Sequence, residues 1–175
     1  MNETDVLFCF HSPGPEETLS AGRVLADAIP EIGMVIRLSG PLGAGKTVFV
    51  KGLAEGLGLS AEGVSSPTFV LAHQYPGDGF GLHHIDLYRI EHEAELAGFG
   101  FDELLDPPHV AAIEWSCRFP QALPPDRLSV RIERGGLDRP EARRVLVSAG
   151  GARSEVVVRA WQVIVGRWPR SHASG

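Results

Sequence analysis

GPLGAGKT, residues 40–47, is the stretch that decides the fold, and it contains one of the two lysines in the chain. It matches the pattern GxxxxGK[ST], in which glycines let the backbone approach an anion closely and present its N–H groups to a phosphate. The lysine adds positive charge for the β- and γ-phosphates, and the threonine hydroxyl can bind Mg²⁺. We therefore expect the whole stretch to bind a nucleotide phosphate: Gly40, Pro41, Leu42, Gly43, Ala44, Gly45, Lys46 and Thr47.

The residues on either side of this loop support that interpretation. Residues 34–39 form a short apolar run typical of a buried strand, and from Gly45 to Gly58 the apolar residues recur at helical spacing. A helix that begins inside the motif directs its N-terminal partial positive charge at the same anion. A glycine-rich turn that matches the pattern by coincidence is the alternative, and the strand before it and the helix after it favour a phosphate-binding loop.

Strands and helices alternate through the rest of the chain. Further strands are expected at residues 5–11, 69–75, 83–87, 110–115, 127–133 and 143–149. Helical segments are expected at residues 16–29 and, in a shorter piece, at 91–96. This order predicts an α/β fold, a P-loop NTPase-like three-layer sandwich with a mostly parallel central sheet. Such sheets carry their chemistry at the carboxyl ends of the strands.

The 175-residue length suits one compact unit. We expect residues 1–150 to form a P-loop ATPase domain and residues 151–175 to form a C-terminal segment that packs on it or trails from it. Valines in this segment favour a strand, whereas the spacing of Val157, Trp161 and Trp168 is helical. We expect a helix there.

Charge argues against direct nucleic-acid binding. The chain has 16 basic and 22 acidic residues, a net charge of −6, and a field of this sign opposes a polyphosphate backbone such as DNA or RNA. Arginines do cluster late in the chain, at Arg139, Arg143, Arg144 and Arg153. They are either a local positive patch or an ordinary solvated face.

A cytoplasmic location is expected from the cysteines and the hydropathy. Cys9 and Cys117 are far apart and neither lies in a CxxC pair, which fits a reducing compartment. No apolar run approaches the roughly 18 residues that a membrane span needs. We therefore expect no membrane association.

Two carboxylates follow apolar strands downstream of the loop. Asp86 ends HHID and Glu114 ends VAAIE, where they could place Mg²⁺ and a water for hydrolysis. A lone carboxylate at this position is usually a solvated strand end or a helix cap. The presence of two such groups beside a phosphate loop favours catalytic roles for both.

Two further residues have open interpretations from the pattern alone. Thr68 follows a proline that stiffens the backbone, as a segment sensing a γ-phosphate would require, but a plain turn into a strand is an equal alternative. Trp115 is either a core residue or a platform for the nucleotide, and a core position is the commoner outcome for tryptophan.

Taken together, GPLGAGKT, SSPTFVL followed by Tyr75, HIDLYR and IEWS, in this order and spacing, resemble the TsaE family, also called YjeE. These are bacterial P-loop ATPases needed to make N6-threonylcarbamoyladenosine at position 37 of tRNA. The likeness covers about residues 14–150. The phosphate loop is shared by many families, but its combination with HIDLYR and IEWS is specific.

The resemblance implies ATP and Mg²⁺ as cofactors. By that resemblance, Lys46 and Thr47 bind the phosphates and the metal, and Glu114 completes the metal environment. Asp86 would help to organise hydrolysis, either by orienting water or by supporting the metal shell.

The resemblance also assigns Thr68 to a switch-like segment and puts Trp115 close to the nucleotide. It implies binding to the TsaD and TsaB subunits, whose turnover cycle ATP hydrolysis would drive, with tRNA contacted only indirectly through the complex. Two departures exist: Ser116 stands where the family commonly has proline, and no motif is matched after Gly150.

Two other functions fit a phosphate loop. A nucleoside or small-metabolite kinase would need an acceptor site and an arginine-bearing lid, for which residues 139–144 are the candidate. A GTP-driven switch would need a guanine-recognition motif of the NKxD type, which the sequence lacks.

Overall fold

The computed structural model of the protein describes residues 6–167. Asp5, at the start of the first predicted strand, and Trp168, in the predicted C-terminal helix, lie outside the described residues. Residues 1–5 of the predicted ATPase domain and residues 168–175 of the predicted C-terminal segment lie outside the described residues.

A seven-stranded sheet forms the middle layer of the described chain. Its strands are β1 (Phe8–Ser12), β2 (Met34–Ser39), β3 (Ala72–Tyr75), β4 (Leu82–Asp86), β5 (Val110–Glu114), β6 (Leu128–Arg134) and β7 (Arg143–Ala149). The spatial order is β1-β7-β6-β2-β5-β4-β3. The four strands β6, β2, β5 and β4 are parallel, and the pairs at both edges are antiparallel. The predicted α/β fold with a sheet that is mostly parallel in its centre is confirmed.

Helices cover both faces of this sheet. They are α1 (Pro15–Ala26), α2 (Lys46–Gly56), α3 (Ala94–Ala97), α4 (Phe101–Leu104) and α5 (Ala152–Val165). Helices α1, α2 and α5 share one apolar core with the sheet. On the other face, α3, α4 and two short 3-10 turns near residues 116–122 pack over β2, β4 and β5. Within residues 6–167, every helix is too short or too polar to span a bilayer.

Helix α5 is part of the main core because of Trp161. The indole is fully buried and meets the rings of Phe8, Phe10 and Phe49 at centroid distances of 5.6, 5.7 and 5.8 Å. Its Nε1–H donates to the carbonyl of Ala21 at 3.2 Å. Truncating a buried indole to alanine costs about 3–5 kcal/mol, so α5 contributes substantially to the stability of the fold.

The strand register brings the two predicted carboxylates together. Asp86 is the register partner of Glu114 across β4 and β5, and Glu114 is the partner of Leu38 across β5 and β2. Leu38 lies two residues before Gly40. Parallel strands that end at the same level therefore put both carboxylates beside the phosphate loop.

The predicted start of the strand at residues 69–75 is wrong. The chain first makes a turn, because the N–H groups of Val70 and Leu71 both donate to the carbonyl of Pro67, at 2.9 and 2.7 Å. Leu71 has a left-handed backbone with φ of 68°. Only after this turn does β3 begin, at Ala72.

The short helical piece predicted at residues 91–96 begins later, at Ala94. The carboxylate of Glu95 accepts the N–H groups of Glu91 and His92 at 3.0 and 2.7 Å, so these residues form a turn before the helix. These two hydrogen bonds hold the pKa of Glu95 below its usual value. Helix α4 was not predicted.

Candidate active site

The phosphate loop follows β2 and leads directly into α2, and it depends on glycine at two points. Gly40 has φ of 140°, and a Cβ atom there would lie 2.2 Å from the carbonyl oxygen of Ile132. Gly45 has φ of 102° and is the N-cap of α2. Larger residues are unfavourable at both positions, which explains the glycine spacing of the motif.

Arginines at the end of β6 and the start of β7 hold carbonyl groups of the loop. Arg143 Nε donates to the Ala44 carbonyl at 2.8 Å, and Arg134 donates to the Leu42 carbonyl. These two contacts hold the loop from its carbonyl side, and within the loop the N–H of Ala44 donates to the Pro41 carbonyl at 3.1 Å.

The N-terminus of α2 has no side-chain cap. The first N–H groups of a helix have no partner within it, and those of Lys46 and Thr47 donate to none of residues 6–167 outside it. They add to the partial positive charge of the helix end. Together these features form a binding site for an anion.

The Lys46 side chain extends along the loop and is only 5% exposed. Its Nζ donates to the carbonyls of Gly40 and Pro41, both at 3.2 Å, and lies 3.6 Å from Glu114 Oε2. The ammonium also lies 4.8 Å from the centre of the Trp115 ring, a cation–π contact. The only strong counter-charge near this cation among the described residues is Glu114.

Glu114 connects three polar groups at the end of β5. Its Oε1 accepts a hydrogen bond from Thr47 Oγ1 at 3.4 Å and lies 3.0 Å from His84 Nε2, while the residue is 3% exposed. Hydroxyl and carboxylate oxygens are the ligands that Mg²⁺ prefers, together with phosphate oxygens. Within residues 6–167, no group of three or more His, Cys, Asp or Glu side chains could hold a metal. The Thr47 hydroxyl and the Glu114 carboxylate are oxygen ligands of this kind, and they fit a Mg²⁺ that arrives with a nucleotide.

Asp86 holds the segment that contains Thr68. Its Oδ2 accepts hydrogen bonds from Thr68 at 2.5 Å and Ser66 at 3.2 Å, and its Oδ1 accepts the N–H of Tyr88 at 2.9 Å. Asp86 is only 2% exposed. Asp86 thus connects the Thr68 hydroxyl to the end of β4 at one side of the site.

Trp115 has an unusual backbone immediately after Glu114. Its φ of 61° is left-handed, which is strained for a bulky residue and is found mostly at functional sites. The ring lies 5.0 Å from that of Tyr88, centre to centre. In this conformation the indole contacts Lys46 and also packs against the core beneath α3 and α4.

One cleft collects most of the residues singled out from the sequence. Its volume of about 460 Å³ is within the range of small-molecule sites. From the loop it is lined by Leu42, Gly43, Gly45, Lys46 and Thr47. From the strand ends and the turn it is lined by Thr68, Asp86, Glu114 and Trp115.

Three residues of the loop do not line this cleft. Gly40 and Pro41 line an adjoining pocket, and Ala44, in the middle of the loop, is fully buried. These three residues shape the loop from outside the cleft.

Comparison with known proteins agrees with this site. The family model described as "Threonylcarbamoyl adenosine biosynthesis protein TsaE" matches residues 12–145, which include the loop and both carboxylates. This chain belongs to the TsaE family. Helix α5 lies beyond the matched residues.

Relatives of this TsaE family member match most of its length. A tRNA threonylcarbamoyladenosine biosynthesis protein TsaE from Bacillus subtilis is 40% identical over 143 residues, 82% of this chain and 86% of that protein. A protein of the same name from Streptomyces coelicolor is 42% identical over 142 residues, 75% of this chain and 90% of that protein. The crystal structure of Bacillus subtilis YdiB superposes with a TM-score of 0.75 at 32% identity, covering 90% of this chain and 95% of that one.

Several side chains of the TsaE site were missed by sequence reasoning. His84 had a usable signal, because it is two residues before Asp86 on the same strand and so shares its face. Ser66 had none, and Arg143 was noted only within the late arginine cluster, since the contacts of both residues join distant segments. Arg89 lies with its guanidinium 5.5 Å from the Phe69 ring and does not line the cleft.

Proposed function

We propose that this protein binds ATP with Mg²⁺ in the cleft and hydrolyses it, as a subunit required for forming the threonylcarbamoyl group on adenosine 37 of tRNA. The observation that carries this proposal is the convergence of an uncapped helix N-terminus, Lys46, Thr47 and Glu114 at one edge of the sheet. We also propose that residues 1–150 form the ATPase domain, on which residues 151–175 pack through α5.

Phosphate binding follows from the charges at the loop. The free N–H groups at the start of α2 and the Lys46 ammonium would hold the β- and γ-phosphates, and Thr47 with Glu114 would hold Mg²⁺. Mg²⁺, when bound, neutralises charge that develops on the transferred phosphoryl group. The cation–π contact of Lys46 with Trp115 keeps the ammonium at the loop, and the ring would border the nucleotide.

Asp86 and Thr68 are the candidates for positioning the attacking water. Asp86 is a buried acceptor that already binds two hydroxyl groups, so a water beside it would be oriented by hydrogen bonding. Thr68 would couple this carboxylate to the turn at residues 67–71. Lys46, Asp86, Glu114 and Thr68 are therefore the proposed catalytic residues.

Contacts of two arginines argue against the kinase alternative. The segment at residues 139–144 was its candidate lid, but Arg143 binds the Ala44 carbonyl and Arg144 pairs with Glu133 at 3.6 Å. Both arginines are in β7 and are engaged there. A mobile arginine lid is not supported by these contacts, and ATP hydrolysis is favoured.

Binding to the TsaD and TsaB proteins is part of the proposal, with tRNA contacted only through them, in the cytoplasm. Apolar residues near the cleft are unusually exposed: Phe69 by 85% and Leu42 by 80%. Exposed apolar side chains at a site mark surfaces that partners cover. The net charge of −6 disfavours direct binding of tRNA, which supports contact with tRNA through those partners.

The test is a replacement experiment in cells depleted of this protein. We expect mass spectrometry of tRNA nucleosides to show loss of threonylcarbamoyladenosine, restored by the wild-type chain and by Lys51→Ala but not by Lys46→Ala. In purified form, ATP hydrolysis should be slow alone and faster with TsaD and TsaB. Unchanged threonylcarbamoyladenosine after depletion would refute the pathway, and a hydrolysis rate indifferent to both partners would refute the assembly.

A further inference from the structure

A second pocket adjoins the phosphate loop and has no part in the proposed hydrolysis. Its volume is about 400 Å³, and it shares Trp115 with the nucleotide cleft. Gly40 and Pro41 form part of its wall, and Arg37 and Arg131 reach it from β2 and β6. Arg37 alternates with core residues along β2, so this pocket is on the sheet face opposite to α1, α2 and α5.

Arg37 brings a positive charge that no described residue neutralises. Its Nε is buried without a hydrogen-bond partner, and none of the ion pairs within residues 6–167 includes it. Arg37 is partly buried, and a buried N–H donor without a partner calls for an explanation, such as a ligand that accepts from it.

A second guanidinium nearby adds to this excess of charge. Burial first, and then the positive charge of Arg37, lower the pKa of Arg127. Arg127 donates to the carbonyl of Pro124 at 2.7 Å and has no carboxylate partner among the described residues. An anion beside Arg37 would relieve this repulsion.

The rim of the pocket limits the kind of anion. Arg131 is paired with Glu133 at 2.9 Å, and Glu133 lies 3.6 Å from Arg144, so these charges are largely balanced. The charged residues of the lining are Arg37, Arg131 and Glu133, two positive and one negative, so its net charge is +1, which suits a singly charged anion better than a polyphosphate chain. A single carboxylate suits one guanidinium, whose planar fork matches it in a bidentate pair.

We propose that this pocket binds a carboxylate on Arg37, with the apolar stem of the ligand against the Trp115 ring. The carboxylate belongs either to a free organic acid or to an acidic side chain of a protein. This site is independent of ATP hydrolysis, so its test needs no nucleotide and its failure leaves the proposed ATPase function standing.

The test uses the Trp115 indole as a reporter. The protein is labelled with ¹⁵N in its tryptophan indoles, and the Trp115 signal is assigned with Trp115→Phe. Sodium glutarate is then titrated against sodium chloride of equal ionic strength. We expect a saturable shift of this signal in the wild type and in the control Arg159→Met, an exposed arginine of α5 on the other face of the sheet.

In Arg37→Met the glutarate affinity should fall about tenfold or more, the loss expected for a hydrogen bond to a charged group. An unchanged affinity in that variant, or no saturable shift in the wild type, would overturn the proposal. Sodium phosphate that binds more tightly than glutarate in an Arg37-dependent manner would overturn the choice of a carboxylate.

A capped pentapeptide with one central glutamate among alanines distinguishes the two sources. Tighter binding of the peptide than of glutarate supports a protein side chain, and the reverse order supports a free acid. Melting temperatures separate a binding role from a structural one. Because Arg37 lacks a partner, Arg37→Met should melt at the same or a higher temperature, and a clearly lower one would overturn the proposal.

Discussion

Four helices of the described residues have a glycine N-cap, and two of them, α2 and α5, differ in how their first N–H groups are satisfied. Gly151 precedes α5, where the carboxylate of Asp126 accepts the N–H groups of Arg153 and Ser154 at 3.0 and 2.9 Å. Gly45 precedes α2, where no side chain caps the helix. The anion at α5 is therefore built into the chain, whereas α2 is open to the cleft.

The difference separates a structural helix start from a ligand-binding one. At α5, burial alone would raise the pKa of Asp126, but hydrogen bonds from Ser154 and Arg153 and the charge of Arg153 outweigh it and lower the pKa. This carboxylate stays ionised and anchors the helix. At α2 the corresponding anion has to come from outside, and Lys46 supplies the counter-charge for it.

The largest effect is expected from Lys46→Ala. We expect ATP hydrolysis to fall by about 100-fold or more, as when one preorganised charged or hydrogen-bonding group is removed from a site of charge development. Lys51→Ala, the other lysine and on the same helix, is the matched control. Phosphate release measures turnover, and circular dichroism without nucleotide should show both variants folded, with Lys46→Ala melting lower because the buried Glu114 loses its ion pair. Equal turnover in the two variants would remove Lys46 from the mechanism.

Next in size is Glu114→Gln, which keeps the shape of the side chain and removes its charge. We expect about tenfold or more Mg²⁺ to be needed for half-maximal hydrolysis, because a carboxylate oxygen binds Mg²⁺ better than an amide. A titration with MgCl₂ at fixed ATP measures this. Glu155→Gln, on the exposed side of α5, should leave the Mg²⁺ requirement unchanged. A wild-type requirement in Glu114→Gln would contradict the metal assignment.

Asp126→Ala tests the other side of the comparison and should have the smallest effect on function. Loss of the cap should cost about 1–2 kcal/mol of stability, or about 2–8 °C in melting temperature, with ATP affinity unchanged. Calorimetry measures both quantities. If Asp126→Ala melts like the wild type but binds ATP more weakly, the cap of α5 serves ligand binding and not stability, which would contradict the comparison.

The pH dependence of this stability difference identifies its cause. Because the folded-state pKa of Asp126 is lowered from 3.8, its contribution is fully present above that value. It should be lost as the pH falls through the lower, folded-state pKa, where the carboxylate becomes protonated. Urea unfolding of wild type and Asp126→Ala over this interval checks the prediction. A difference that stays constant with pH would exclude the charged cap as its source.

The parts that the sequence could predict are those governed by local pattern. The loop, the strand before it and the helix after it are all within residues 34–58, and period-two and helical spacing were enough to find them. The carboxylates were within reach as well, because the carboxyl ends of parallel strands meet at one edge of the sheet. Asp86 and Glu114 are direct register partners there.

The remaining features depend on contacts between distant residues. Arg143 and Ala44 are 99 residues apart in the chain, and Asp126 and Ser154 are 28 residues apart. No local sequence pattern predicts a hydrogen bond over such distances. The left-handed backbone of Trp115 was likewise invisible, since an apolar run before a tryptophan predicts only a strand and a core ring.

The most direct measurement is a crystal structure with Mg²⁺ and a non-hydrolysable ATP analogue. The account predicts terminal phosphate oxygens within about 2.7–3.2 Å of the N–H groups of Gly45, Lys46 and Thr47, with the Lys46 ammonium beside them. An analogue bound elsewhere, with the N-terminus of α2 left without an anion, would contradict the central claim.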